Sequence, residues 1–185
     1  MVLGLARGGV PVAREVATAL GAPLDVFLVR KLGVPQWPEL AMGAIASGGA
    51  VVMNESVVTS AGVGPEQVQS VLDRETAELV RREAAYRSGR APQQVAGRVV
   101  LVVDDGVATG ASMRVALRAV RALHPARVIA AVPVGPSDTR RTLSDADDVV
   151  CAVIPVRFEA VGQVFEDFHQ VSDDEVRELL RTRTR

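Results

Sequence analysis

The chain has 185 residues, 48% hydrophobic and 23% charged, which at roughly 100–200 residues per domain predicts one globular domain over residues 1–185 with a sizeable core. Its 21 basic residues nearly cancel its 22 acidic ones, so no long-range field draws it to nucleic acid or anionic lipid, and any charged ligand must be gripped locally. A single cysteine, Cys151, excludes an internal disulfide, and no apolar run approaches the roughly 20 residues of a membrane span. The N-terminus lacks a charged start and an apolar stretch, so the expectation is a cytoplasmic protein in which the Asn54-Glu55-Ser56 glycosylation pattern carries no weight.

Val2 to Ala6 reads as a short buried strand, the Arg7-Gly8-Gly9 turn follows, and Val10 to Leu20 has the apolar spacing of a helix ended by Gly21. Leu24 to Val29 is a second buried run, which completes a βαβ unit. From Arg30 to Gly43, Gly and Pro surround Trp37 without periodicity, so a long loop is expected. Ala44–Ser47 and Ala50–Met53 flank Gly48-Gly49 as a hairpin. One long surface helix is expected from Gly64-Pro65 to Arg87, with Val68, Val71, Leu72, Leu79 and Val80 on its apolar face. Then come a strand over Arg98–Val103, a helix from about Ala111 to Leu123, strands over Val128–Val134 and Val149–Ile154, and a short helix near Asp138–Leu143 between them. This alternation predicts an α/β fold with a mainly parallel sheet flanked by helices. Arg181 to Arg185 reads as a solvated end.

The densest chemical signal runs from Val99 to Ser112. A buried strand delivers Asp104 and Asp105 to its C-terminal edge, where ligands bind in open α/β folds. The turn Gly106 to Gly110, with Thr109 and then Ser112 at a helix start, offers backbone N–H groups and a helix dipole to a phosphate. Carboxylates beside a phosphate cradle suit a sugar phosphate with Mg²⁺ nearby. Read alone, the same residues also fit a strand that ends in two acids and a helix capped by Thr109 or Ser112. An aspartyl-phosphate receiver needs a lysine on a later strand, and the chain's only lysine, Lys31, precedes the motif. A haloacid-dehalogenase-like site needs its two Asp residues one apart, and neither a Walker loop nor a dinucleotide glycine pattern occurs.

The strand, the acidic pair and the Ala108-Thr109-Gly110-Ala111-Ser112 turn resemble the PRPP-binding motif of type I phosphoribosyltransferases. The resemblance implies that Asp104 and Asp105 contact the ribose hydroxyls and that Ala108, Thr109, Gly110, Ala111 and Ser112 hold the 5′-phosphate. Leu5 to Gly9 is similar to the family's pyrophosphate loop, which assigns Arg7, Gly8 and Gly9 to the leaving group, and Arg30-Lys31-Leu32-Gly33 resembles a second pyrophosphate-side loop. Apart from the family, Arg7, Arg30 and Lys31 supply cations for a multiply charged leaving group, and the glycines let backbone N–H groups approach it. The implied cofactor is Mg²⁺, held chiefly through PRPP and water near Asp104 and Asp105, and a homodimer is expected.

Glu39, in the loop over residues 33–43, is a candidate polar contact if that loop closes over the ligand; a Pro-stiffened connector is the competing reading. Phe158, Phe165 and Phe168 crowd a segment with Gly162, Glu166 and Asp167. This segment, about residues 155–171, is expected to form a small C-terminal hood in which Phe165 stacks on an acceptor, although aromatic spacing of this kind also fits ordinary core. His124 and His169 have no ligand-like partners by spacing, and Cys151 reads as inert core.

Two features depart from the family pattern. Hypoxanthine-type enzymes have an acid directly before the Thr-Gly of the motif, where this chain has Ala108, as adenine-type and uracil-type enzymes do. No general base is evident, which reactions led by leaving-group stabilisation tolerate. Many relatives also have a helix ahead of the first core strand, and a domain lacking it is expected to be weaker in activity, stability or both. The leading expectation is a Mg²⁺-dependent transferase that moves 5-phosphoribosyl from PRPP to a nitrogen acceptor, most naturally a nucleobase. The alternative is a non-catalytic PRPP or nucleotide sensor on the same fold.

Overall fold

The computed structural model describes residues 1–181; Thr182 to Arg185, the last part of the expected solvated end, lie outside them. Five parallel strands form the main sheet: β1 (Val2–Leu5), β2 (Leu24–Phe27), and, after a second sheet, β6 (Val99–Val103), β7 (Arg127–Val134) and β8 (Asp148–Val153). Their spatial order is β2-β1-β6-β7-β8. The chain therefore winds outward in both directions from the β1/β6 pair, and that reversal is where a doubly wound sheet opens a crevice.

Side chains alternate across the strands and divide the core between the two faces. Val2 and Val103 meet Ala13 and Ala17 of α1 (Gly9–Leu20) on one face. Leu3, Leu5, Val100, Val102 and the inward residues of β7 meet Met113, Leu117 and Val120 of α4 (Ala111–Arg121) on the other. The short α5 (Thr139–Thr142) links β7 to β8 close to its expected place.

The segment expected as a loop over Arg30–Gly43 is instead most of a hairpin. The single strand expected over Leu24–Val29 breaks at Leu28, and β3 (Val29–Val34) and β4 (Trp37–Ala46) pair antiparallel. β5 (Val51–Met53) adds the third strand through the expected Gly48-Gly49 turn. The signal is a weak period of two: Leu32 and Val34 are buried while Lys31 and Gly33 are not. Register shifts around Gly33, together with Pro35 and Pro38, interrupt that period, so the alternation is illegible without its partner strand. Pro35 and Gln36 connect the two strands, and Trp37 beyond them is 58% exposed.

A short α2 (Glu55–Ser60), which has no clear periodicity, leads to α3 (Pro65–Arg87), which matches expectation in length. Its inward face differs by one position. Val80 is exposed, and the stripe continues through Leu79 to Tyr86 and Arg87 instead. Arg87 is buried because Asp25 on β2 meets it: its Nε donates to Asp25 Oδ1 at 3.0 Å, and Nη2 donates to the Val26 carbonyl. A last helix, α6 (Asp173–Arg181), packs Val176 and Leu180 into the core shared by α3 and the hairpin, so Arg181 ends a helix rather than starting a frayed tail.

Candidate functional site

The register Gly4↔Val103 between β1 and β6 brings the Arg7-Gly8-Gly9 turn beside Asp104 and Asp105. The fit is tight. A Cβ on Gly8 would stand 2.0 Å from Asp105 Oδ2, and one on Gly9 would stand 2.5 Å from the Val103 carbonyl. Gly8 has ordinary helical dihedrals, so the need for glycine there is the close approach and not a left-handed backbone. The Ala6–Arg7 peptide is cis.

Asp104 and Asp105 are both half-buried. Asp104 Oδ1 accepts the Asp105 backbone N–H at 3.0 Å. Burial, followed by the neighbouring Asp105 charge, pushes the Asp104 carboxyl up to about 8. Burial also raises Asp105. Two carboxylates whose ionisation is disfavoured this way are relieved by a cation or by hydroxyl donors.

Directly after them the chain turns through Gly110, which has a left-handed φ of 74°, into α4. Ala108, Thr109, Ala111 and Ser112 are exposed along this turn. With Asp104, Gly106 and Val161 they line a recess of about 200 Å³ at the helix N-terminus. Thr109 Oγ1 accepts the Ala111 N–H at 3.4 Å, while other N–H groups of the first turn stay available to an anion.

A second cleft, of about 400 Å³, is walled by Arg7, Gly8 and Asp105 on one side and by Phe168 to Val171 on the other. The C-terminal segment therefore closes over the acidic turn. Phe165 and Phe168 ring centroids lie 5.2 Å apart, and it is Phe168, half exposed, that faces this cleft, with Phe165 packed against it at a tilt of 36°. His169 has partners that spacing did not reveal: Nδ1 meets Asp167 at 3.1 Å and Nε2 meets Glu175 at 3.2 Å. Glu175 and Asp167 raise its pKa.

The second basic pair does not sit where the sequence placed it. Arg30 and Lys31 lie inside β3, in the smaller sheet, and alternation sends them to opposite sides. Arg30 donates through Nε to Glu75 of α3 at 2.8 Å. Lys31 pairs with Glu39 across the hairpin at 3.4 Å, and it lines a broad groove of about 620 Å³ with Ser112 and Arg114 of α4. Glu39 is almost fully exposed. Cys151 is partly buried, and burial pushes its thiol up.

The sequence matches the model of the phosphoribosyl transferase domain over residues 1–167. The chain belongs to the phosphoribosyl transferase family. It is 49% identical over 177 residues to "Putative phosphoribosyl transferase Rv0571c" of Mycobacterium tuberculosis strain H37Rv, and equally to its counterpart MT0597 in strain CDC 1551. The match takes in 95% of this chain and 40% of those relatives, so the chain spans well under half of their length. The crystal structure of TT1426 from Thermus thermophilus superposes with a TM-score of 0.82 at 42% identity, over 97% of this chain and 85% of that one. The α/β architecture, a five-stranded parallel sheet flanked by helices, is the fold of this phosphoribosyl transferase domain, and Asp104 and Asp105 stand at its β1/β6 crevice. No helix among the described residues is long and apolar enough to cross a membrane.

No group of three or more His, Cys, Asp or Glu side chains able to hold a metal occurs among the described residues. The two adjacent, half-buried carboxylates Asp104 and Asp105 would suit a Mg²⁺ ion that took its remaining ligands from substrate oxygens and water.

Proposed function

We propose that this domain binds PRPP and transfers its 5-phosphoribosyl group to a nitrogen acceptor, most naturally a nucleobase, with release of pyrophosphate. The observation that carries the reading is the convergence of three parts at adjacent parallel strand ends: the Asp104–Asp105 pair, the recess at the start of α4, and the Arg7–Gly9 turn packed against the acids. The 5′-phosphate would lie on the N–H groups from Ala108 to Ser112, and the ribose hydroxyls would donate to Asp104 and Asp105. Arg7 with the Gly8 and Gly9 backbone would meet the pyrophosphate. Mg²⁺ bound through PRPP would offset the leaving group's charge. The C1–O bond to pyrophosphate breaks as the acceptor nitrogen forms its bond to C1, and the protein contributes alignment and charge stabilisation.

The hood over residues 155–171 belongs to the same reading: Phe168, rather than Phe165, offers the stacking face for an acceptor. Lys31 would reach the site from the hairpin. Arg30 takes part only on leaving Glu75, and Glu39 acts as a partner of Lys31 rather than a direct contact. Near-neutral charge supports small-molecule partners. One domain, a cytoplasmic setting and a homodimer complete the proposal.

Calorimetric titration with PRPP, with and without Mg²⁺, tests it. Metal-dependent micromolar binding, followed by pyrophosphate release with some member of a nucleobase panel, is the expected result. Exchange of both Asp104 and Asp105 for Asn should abolish turnover. A PRPP or nucleotide sensor is favoured by one observation, the pairing of both Arg30 and Lys31 with protein carboxylates. Tight PRPP binding without turnover on any acceptor would select it, and absence of PRPP binding would sink both readings.

A further inference from the structure

Beyond the residues assigned so far, a polar relay joins the Arg7 turn to two distant helices. Arg7 Nη1 lies 3.6 Å from Asp173 Oδ1, at the first position of α6. The same oxygen accepts a hydrogen bond from the Tyr86 hydroxyl at 2.6 Å. Tyr86 belongs to the last turn of α3, is 1% exposed, and packs with Val171 and Val176 in the core.

We propose that Asp173 is a positioning residue for Arg7: anchored by Tyr86, it holds the Arg7 guanidinium at the mouth of the cleft where the pyrophosphate end of PRPP would bind. The proposal rests on the PRPP reading above. Three features support it. Arg7 is only partly buried, and an arginine without a fixed partner must give up much rotamer freedom when it grips a ligand. One Nη committed to Asp173 leaves the other guanidinium donors for an anion. The anchor is also a stable one. The Tyr86 hydrogen bond, together with Arg7, keeps the Asp173 carboxyl below the usual range, and burial with the Asp173 contact pushes the Tyr86 hydroxyl up to about 12, so it remains a donor. An acid in the first turn of α6 is further favoured by the helix dipole. The segment from Phe168 to Val171, which walls the cleft, runs directly into this anchor. The C-terminal helix thereby fixes both the cleft wall and the cation opposite it.

The test uses the full chain with Mg²⁺ and three probes: PRPP, inorganic pyrophosphate and ribose 5-phosphate. Tyr86→Phe removes the anchor while leaving every charge in place, and Asp173→Asn keeps an acceptor for Tyr86 while removing the ion pair. Each is expected to weaken PRPP and pyrophosphate about five- to tenfold and to leave ribose 5-phosphate within about twofold, the scale of one re-ordered side chain. In an Arg7→Ala background neither change should have a further effect. Tighter pyrophosphate binding by Asp173→Asn would make Asp173 a mere competitor for Arg7 and overturn the proposal. Unchanged pyrophosphate binding by Tyr86→Phe, or equal loss of all three probes, would overturn it as well. Wild-type protein that binds neither PRPP nor pyrophosphate refutes the PRPP reading itself, and the positioning role falls with it.

Discussion

Replacing Gly8 by Ala separates a defect of the site from a defect of the fold. Gly8 has φ −57° and ψ −34°, so alanine is acceptable to its backbone. The added methyl would stand 2.0 Å from Asp105 Oδ2 and 2.8 Å from Asp105 Cγ. The carboxylate must therefore retreat by more than about 1 Å to reach ordinary van der Waals distance. It can do so by rotation, because it is the end of a side chain and half exposed. Stability should fall by about 1 kcal/mol, or roughly 2–4 °C in Tm for a chain of this size. Misplacement of a binding group by about 1 Å is worth roughly a hundredfold, so PRPP turnover or affinity should fall on that scale. Gly9→Ala is the control, because its methyl would meet the Val103 carbonyl at 2.5 Å and Asp104 Cα at 2.7 Å. These are backbone atoms at the end of β6, and the expected loss of stability is larger, about 2–3 kcal/mol. Thermal denaturation and PRPP calorimetry on both variants provide the comparison. A Gly8→Ala protein that binds PRPP like wild type, or that is as unstable as Gly9→Ala, would refute the placement of Asp105 against this turn.

The acidic pair predicts a pH dependence. A carboxyl whose folded pKa is raised, as at Asp104, is protonated in the native state while already ionised in the unfolded one, so stability falls as pH rises from about 4 towards 8, by at most about 1.4 kcal/mol per unit. Asp104→Asn should remove most of that slope and be more stable than wild type at pH 8, with the gap closing near pH 4; equal slopes in denaturant titrations would contradict the burial assigned to Asp104. On β2, away from the acidic turn, Asp25 accepts from Arg87, from the Gln93 N–H at 2.9 Å and from the Val26 N–H at 2.8 Å. Asp25→Ala removes one of the two carboxylates on the buried Arg87, Glu83 at 3.3 Å remaining, and deprives the Val26 and Gln93 N–H groups of their side-chain acceptor. It should cost about 2–3 kcal/mol without altering the site, and chemical denaturation showing under about 1 kcal/mol would refute that role.

The outline of this protein was legible in local sequence wherever one period ran uninterrupted. β1 and β6 are runs of apolar residues because the middle of a parallel sheet covered on both faces buries successive side chains, whereas β7 alternates between buried and partly buried positions and β8, at the sheet edge, is apolar although Val150 and Val153 are exposed. The turn from Asp104 to Ser112 could be read because its glycine, hydroxyls and acids act through their own backbone and neighbours. The hairpin was not legible. β3 and β4 owe their extended form to each other across register shifts at Gly33, and pairing between residues such as Val29 and Ala46 leaves no trace in either segment alone. For the same reason Arg30 and Lys31, adjacent in sequence, part company to Glu75 and Glu39.

The remaining decisions belonged to chain segments far apart in sequence. Asp173 meets Tyr86 across 87 positions and reaches Arg7 near the other terminus, because α6 packs against α1 and α3. Phe168 and not Phe165 faces the cleft because Gly162 lies close against the Phe168 ring and Val161 sits over Gly106. Local propensity and backbone geometry determined which residue types stand at each strand end. Which of them meet around one ligand depended on packing between elements, and that depends on shape in three dimensions rather than on spacing along the chain.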